Sequence, residues 1–208
     1  GFANDPTART QILQGITTIA VGPDGSSPFP IADYLELREK QHLATNLIAF
    51  VGHATIRQQV MGKDFKRAAT EAEIMKMAEL VEQAMREGAV GLSTGLIYPP
   101  CCFADTSELI ELCRAVVEFD GIFVSHMRSE SDYIEDAIME MIEVGKQSGV
   151  RVHISHFKIA GRENWARIDG VLAMIAEAQA EGVRVTADQY PYIAGSTMLG
   201  AILPPWAH

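Results

Sequence analysis

Cysteine is scarce in this sequence: three residues, two of them adjacent at Cys101-Cys102, cannot build a disulfide framework, so a reducing, cytoplasmic compartment is expected. No apolar run approaches the length needed to cross a bilayer, and the opening residues carry no signal peptide, so no membrane partner is expected. A basic stripe is also missing. With 17 Lys and Arg against 27 Asp and Glu, the formal net charge of −10 argues against a nucleic-acid partner. The first apolar run is not followed by a glycine-rich phosphate turn of the dinucleotide type: Gly22-Pro-Asp-Gly25 has the wrong spacing and a proline. The chain opens Gly1-Phe2-Ala3 without an initiator Met, and a processed or excised piece is the expectation.

What is present is a core and a repeat. At 208 residues and 48% hydrophobic, the chain can bury the interior of one domain, or most of one. Five times a helix-like segment stops at glycine and an apolar strand starts: at Gly15, Gly88, Gly121, Gly149 and Gly182. Glycine just past a helix adopts the left-handed conformation of a C-cap without a Cβ penalty. A sixth strand, Asn46 to Gly52, is apolar over most of its length but lacks that glycine. Nearly continuous apolar runs suit strands covered on both faces. Between them, Thr70 and Glu73 have capping-box spacing before the apolar face of Ile74, Met77, Val81 and Met85. Asp105 or Thr106 can open the next helix, and a third runs from about Ser131 to Ser148. A fourth turns Val171, Leu172, Ile175 and Ala178 inward. Strand-helix repetition without a hairpin signal predicts an α/β fold, here about six of the eight units of a (β/α)8 TIM-like barrel, with residues 1–208 as its central part.

The strand ends carry the chemistry. In order they present Asp24, His53, Ser93-Thr94, His126, His156 and Asp188. His126 and His156 lie 30 residues apart in matching Ser-His settings, about one strand-helix repeat. A right-handed crossover brings both to one edge of a parallel sheet, where α/β folds build their sites. Two imidazoles and a carboxylate make zinc the natural candidate. Asp24, within Gly-Pro-Asp-Gly, fits a turn as well as a ligand, and Asp188 alone fits a turn or cap better.

At this point Gly91-Leu-Ser-Thr-Gly-Leu-Ile-Tyr98, Ser125-His-Met-Arg-Ser-Glu130, Ile154-Ser-His-Phe-Lys158 and Asp188-Gln-Tyr-Pro-Tyr-Ile-Ala-Gly-Ser-Thr197 resemble the N-acyl-D-amino-acid deacylases, the D-aminoacylase branch of the amidohydrolases. Gln14 to Ile19 and Val51 to Arg57 are similar to the family's earlier strands. The resemblance implies metal-dependent hydrolysis of a small N-acyl-D-amino acid. It implies zinc at His126 and His156, with Asp24 where the family usually has cysteine. Tyr98 and Lys158 match positions near the acyl amide, with Tyr98 as a candidate catalytic hydroxyl; Tyr192 and Ser196 match positions that hold the substrate carboxylate. Arg128 fits the same anion-binding purpose, or an ion pair with Glu130 or Glu135.

The sequence also departs from the pattern. It holds no His-x-His, and the family's late catalytic aspartate has no counterpart. The expectation is a chain with little activity by itself. A cyclic-amide hydrolase of the hydantoinase kind is the nearest alternative, but Ala89 to Thr94 carries no lysine for a bridged metal pair. The other is a non-catalytic partial barrel whose open edges favour a homo-oligomer.

Overall fold

Each helix, glycine and apolar run of the repeat becomes one turn of a parallel α/β array. The computed structural model describes residues 5–203. Its elements are α1 (Arg9–Ile12), β1 (Thr18–Val21), α2 (Ile31–Lys40), β2 (Asn46–Ala49), β3 (Val51–Gly52), α3 (His53–Met61) and α4 (Glu71–Arg86). There follow β4 (Gly91–Gly95), α5 (Thr106–Val117), β5 (Ile122–His126), α6 (Ile134–Ser148), β6 (Arg151–Ile154), α7 (Ile168–Ala180) and β7 (Val185–Ala187). All six expected strands form; β2 and β3 are the single run Asn46 to Gly52, interrupted at Phe50. Its first half pairs with β1 and its second with β4, so strand order follows chain order and every pair is parallel. The fold is a partial (β/α) barrel.

One register row shows where the core sits. Leu92, Phe123, Val152 and Val185 are successive partners across β4, β5, β6 and β7, and all four are buried. Each contributes roughly 1.5–3 kcal/mol of apolar burial. The opposite faces of α4, α5 and α6 close over this sheet with Met77, Val81, Leu109, Leu112, Ile138 and Met141.

The local signals hold with instructive exceptions. Thr70 and Glu73 make the full capping box of α4, and the Asp105 carboxylate accepts from the Glu108 N–H at 3.0 Å to open α5. Helix α6 starts at Ile134, later than the expected Ser131, because Ser129 Oγ accepts from the N–H groups of Ser131 and Tyr133, both at 3.3 Å. That side-chain bond offers the backbone an alternative to a helical turn. Four of the five glycines take positive φ as expected, but at the fifth Asp120 does so instead, with φ 51. Gly121 is needed for space: a Cβ there would stand 2.5 Å from Val116 Cγ1 and 2.7 Å from Met85 Cε. On α7 Val171 and Ala178 are buried, whereas Leu172 is 49% exposed, since among the described residues no later helix packs beside it.

Candidate metal centre

Asp24 owes its position to a pinned turn after β1. Gly25 has φ +84 and stands so close to β4 that an added Cβ would lie 3.0 Å from the Gly95 nitrogen. The buried Ser93 Oγ donates to the Gly22 carbonyl and accepts from the Gly25 N–H at 3.2 Å. The Gly25 carbonyl in turn accepts from Ala54 N–H at 2.7 Å, at the start of α3. His126 is the last residue of β5, in register with Gly95. His156 lies two residues beyond β6 with φ 41, a left-handed conformation that costs a non-glycine residue on the order of 1 kcal/mol. Its N–H donates to the Asp188 carboxylate, which also meets His153 Nε2 at 3.1 Å, and the Asp188 carbonyl accepts from Phe157 N–H at 2.8 Å. Asp188 therefore holds the bend that carries His156.

These elements bring Asp24, His126 and His156 together, with one ligand atom from each lying within 4.8 Å of the others. The two imidazoles meet edge to face, centroids 4.4 Å apart. Burial, helped by the facing His156, holds the His126 pKa below the usual histidine value, so its ring is neutral at pH 7 and available as a donor. Two imidazoles and a carboxylate fit a divalent metal. The carboxylate is a harder donor than thiolate.

Other expected residues gather round. The Tyr98 ring lies 5.0 Å from His126, centroid to centroid, and its hydroxyl is 2.7 Å from Thr197 Oγ1. Tyr98, Asp24, Cys101 and Ser196 line one open cleft of about 330 Å³. Lys158 Nζ contacts Glu130 Oε1 at 2.6 Å and the His156 carbonyl at 2.9 Å. Tyr192 stacks on Tyr190 and is largely exposed. Arg128 pairs with Glu140 rather than Glu130 or Glu135, at 2.9 Å, and also donates to the carbonyls of Cys102 and Ala104. Its guanidinium braces the loop that leads from Tyr98 into α5.

The sequence placed His53 among the rim residues; the structure buries it at the start of α3 instead, in a support beneath the rim whose other members, Arg57 and Glu108, sequence reasoning missed. His53, Arg57 and Glu108 are fully buried together: Glu108 accepts from Arg57 and meets His53 Nε2 at 2.7 Å, while His53 Nδ1 meets Thr94 Oγ1 at 2.9 Å. Burial alone would depress His53, but the adjacent Cys101 thiol and Glu108 carboxylate push its pKa up to about 9. The available signal was His53 and Arg57 spaced four apart beside Ile56, a charged pair on an apolar helix face. Glu130 was expected only as an ion-pair partner of Arg128; the structure sets it against His156 and Lys158 instead, and nothing in its spacing marks out that role.

No family model matches the chain. A D-aminoacylase from Alcaligenes xylosoxydans xylosoxydans is 40% identical over 91% of this chain and 43% of its own length. The chain is a homologue of the N-acyl-D-amino-acid deacylases. Among solved structures, a D-aminoacylase studied for its binuclear metal centre superposes with TM-score 0.89 and 37% identity, over 95% of this chain and 46% of that one. The N-acyl-D-glutamate deacylase of Bordetella bronchiseptica, solved with zinc and a phosphonate mimic of the tetrahedral intermediate, gives 0.87 and 35%, over 92% and 45%. An L-hydantoinase from Arthrobacter aurescens, at 16% identity and TM-score 0.58, shares the barrel fold. The chain thus spans a little under half the length of the deacylases it matches.

Proposed function

We propose that this protein takes part in hydrolysing the amide bond of N-acyl-D-amino acids, with zinc held by Asp24, His126 and His156. The observation that carries the reading is the convergence of these three donors from the ends of β1, β5 and β6, in a chain whose relatives are deacylases of that class. A metal bound there supplies Lewis-acid polarisation of the acyl carbonyl and a water of lowered pKa.

The remaining work falls to the chain's own side chains. Tyr98, beside His126 in the cleft wall, donates its hydroxyl proton towards the acyl oxygen, where charge builds as the carbonyl is attacked. Lys158 lies at the same rim and donates to the acyl amide, while Ser196 and Tyr192 offer hydroxyls to the substrate carboxylate. Arg128 contributes through its hold on the Cys102 and Ala104 carbonyls, which keeps the Tyr98 loop in place. The three free cysteines support a reducing, cytoplasmic setting. No described helix is long and apolar enough to cross a membrane.

The test is release of free amino acid from N-acetyl-D-methionine and N-acetyl-L-methionine by the protein in its natural length, after chelation and after zinc is restored. Zinc-dependent turnover of the D-enantiomer is expected. Equal rates on both enantiomers, or turnover of dihydrouracil with none of the N-acyl-D-amino acid, would overturn the proposal.

A further inference from the structure

The proposed hydrolysis leaves one carboxylate of the site unused. Glu130 Oε1 lies 2.7 Å from His156 Nδ1 and 2.6 Å from Lys158 Nζ, so one oxygen touches both the metal-ligand imidazole and the cation beside it. Its side chain is only 15% exposed, which shields these contacts from competing water. An ionised carboxylate only accepts and an ammonium only donates. Lys158 Nζ also stands 2.9 Å from His156 Nδ1, so two tautomers compete: Nδ1–H donating to Glu130, or a bare Nδ1 accepting from Lys158. Lys158 already has two oxygen acceptors, Glu130 Oε1 and the His156 carbonyl, and its charge also faces the Tyr190 ring, 5.3 Å from the centroid. A bare Nδ1 would set a lone pair against the carboxylate at their closest contact.

We infer that Glu130 is a positioning residue: it accepts the Nδ1 proton of His156, fixes that tautomer, and leaves Nε2 as the nitrogen that meets the metal. The inference rests on the metal-site reading above. A carboxylate behind a ligating histidine sets ring orientation and raises the donor strength of the other nitrogen.

Long-range proton–nitrogen NMR of the metal-free 208-residue chain reads the tautomer directly, and zinc affinity is read by competition against a chelator. His156 is expected to be protonated at Nδ1 in the parent and to lose that preference in Glu130→Ala, with zinc binding about 10–100-fold weaker. Glu130→Gln, whose amide carbonyl still accepts from Nδ1–H, is expected to keep the tautomer and most of the affinity. Lys158→Met should leave the tautomer unchanged. A bare Nδ1 in the parent, or a tautomer that changes with Lys158→Met and not with Glu130→Ala, overturns the inference. If Glu130→Ala does not fold, the parent spectrum with Glu130→Gln and Lys158→Met still decides. A parent that takes up no zinc defeats the metal-site reading instead, and the nitrogen spectrum still judges Glu130.

Discussion

The three proposed zinc donors differ in how firmly the chain holds them, and that sets what each substitution does. His126 ends a core strand and His156 sits on a bend tied to Asp188, so loss of either ring removes a donor while the strands remain. Elemental analysis is expected to find about one zinc per parent chain, and none above background in His126→Ala or His156→Ala. Asp24 is the exposed member and the hardest. Asp24→Cys should tighten zinc by about tenfold and disfavour manganese, because thiolate selects softer ions; competition titrations with the two metals check this, and an unchanged preference counts against Asp24 as a ligand. That all three stand at strand ends was legible in the sequence, because polar residues soon after apolar runs fall there; for Asp24 the residues alone left turn and ligand equally open. Arg128 was not: its partner Glu140 lies 12 residues away, on a face of α6 that no motif announces.

At the scale of the elements, the rim depends on polar groups buried below it. Ser93 serves both backbone groups that flank Asp24, and Ser93→Ala leaves the Gly22 carbonyl and Gly25 N–H without that partner. A loss of about 1–3 kcal/mol in denaturant unfolding is expected, with weaker zinc binding as the Asp24 turn loosens. Glu108 makes a pH-dependent contribution. Burial raises its pKa, but the hydrogen bond and charge of His53, then those of Arg57, bring it below the usual 4.5. A carboxyl whose folded pKa is lowered stabilises fully above its unfolded value and loses that contribution as pH falls through the folded value. Unfolding free energy should therefore fall on acidification below about pH 4.5. In Glu108→Gln that acid limb should flatten, with the protein about 3–5 kcal/mol less stable at pH 7 because Arg57 is left buried beside a neutral amide. Periodicity recovered the strands, the capping box and most of the inward helix faces. It could not show that Glu108, three residues after the Asp105 cap, turns inward to close a buried ion network, because burial of a charge depends on partners brought from α3.

For the whole molecule the question is what covers the two ends of the sheet. Among the described residues β1 pairs only with β2, and β7 only with β6. Apolar side chains collect at both ends: Leu13 and Ile16 stand exposed before β1, and Ile193 and Leu199 after β7 at 109% and 80%. Chain order foretold the parallel array, since one helix between successive strands leaves little other choice. It could not foretell this exposure, which depends on what lies beyond the paired strands. Unpaired parallel edges flanked by apolar surface are templates for association. The 208-residue chain by itself is therefore expected to grow in mean mass by sedimentation as its concentration rises tenfold through the micromolar range. Ile193→Lys together with Leu199→Lys should suppress that growth, because charge at an open edge opposes pairing. Hydrolysis by the same preparation should be at background even with zinc bound, since the sequence holds no His-x-His and the cleft beside Tyr98 is open. A chain that stays monomeric throughout would mean that these exposed ends do not drive association, and one that turns over N-acetyl-D-methionine unaided would mean that these six parallel strands already form a working site.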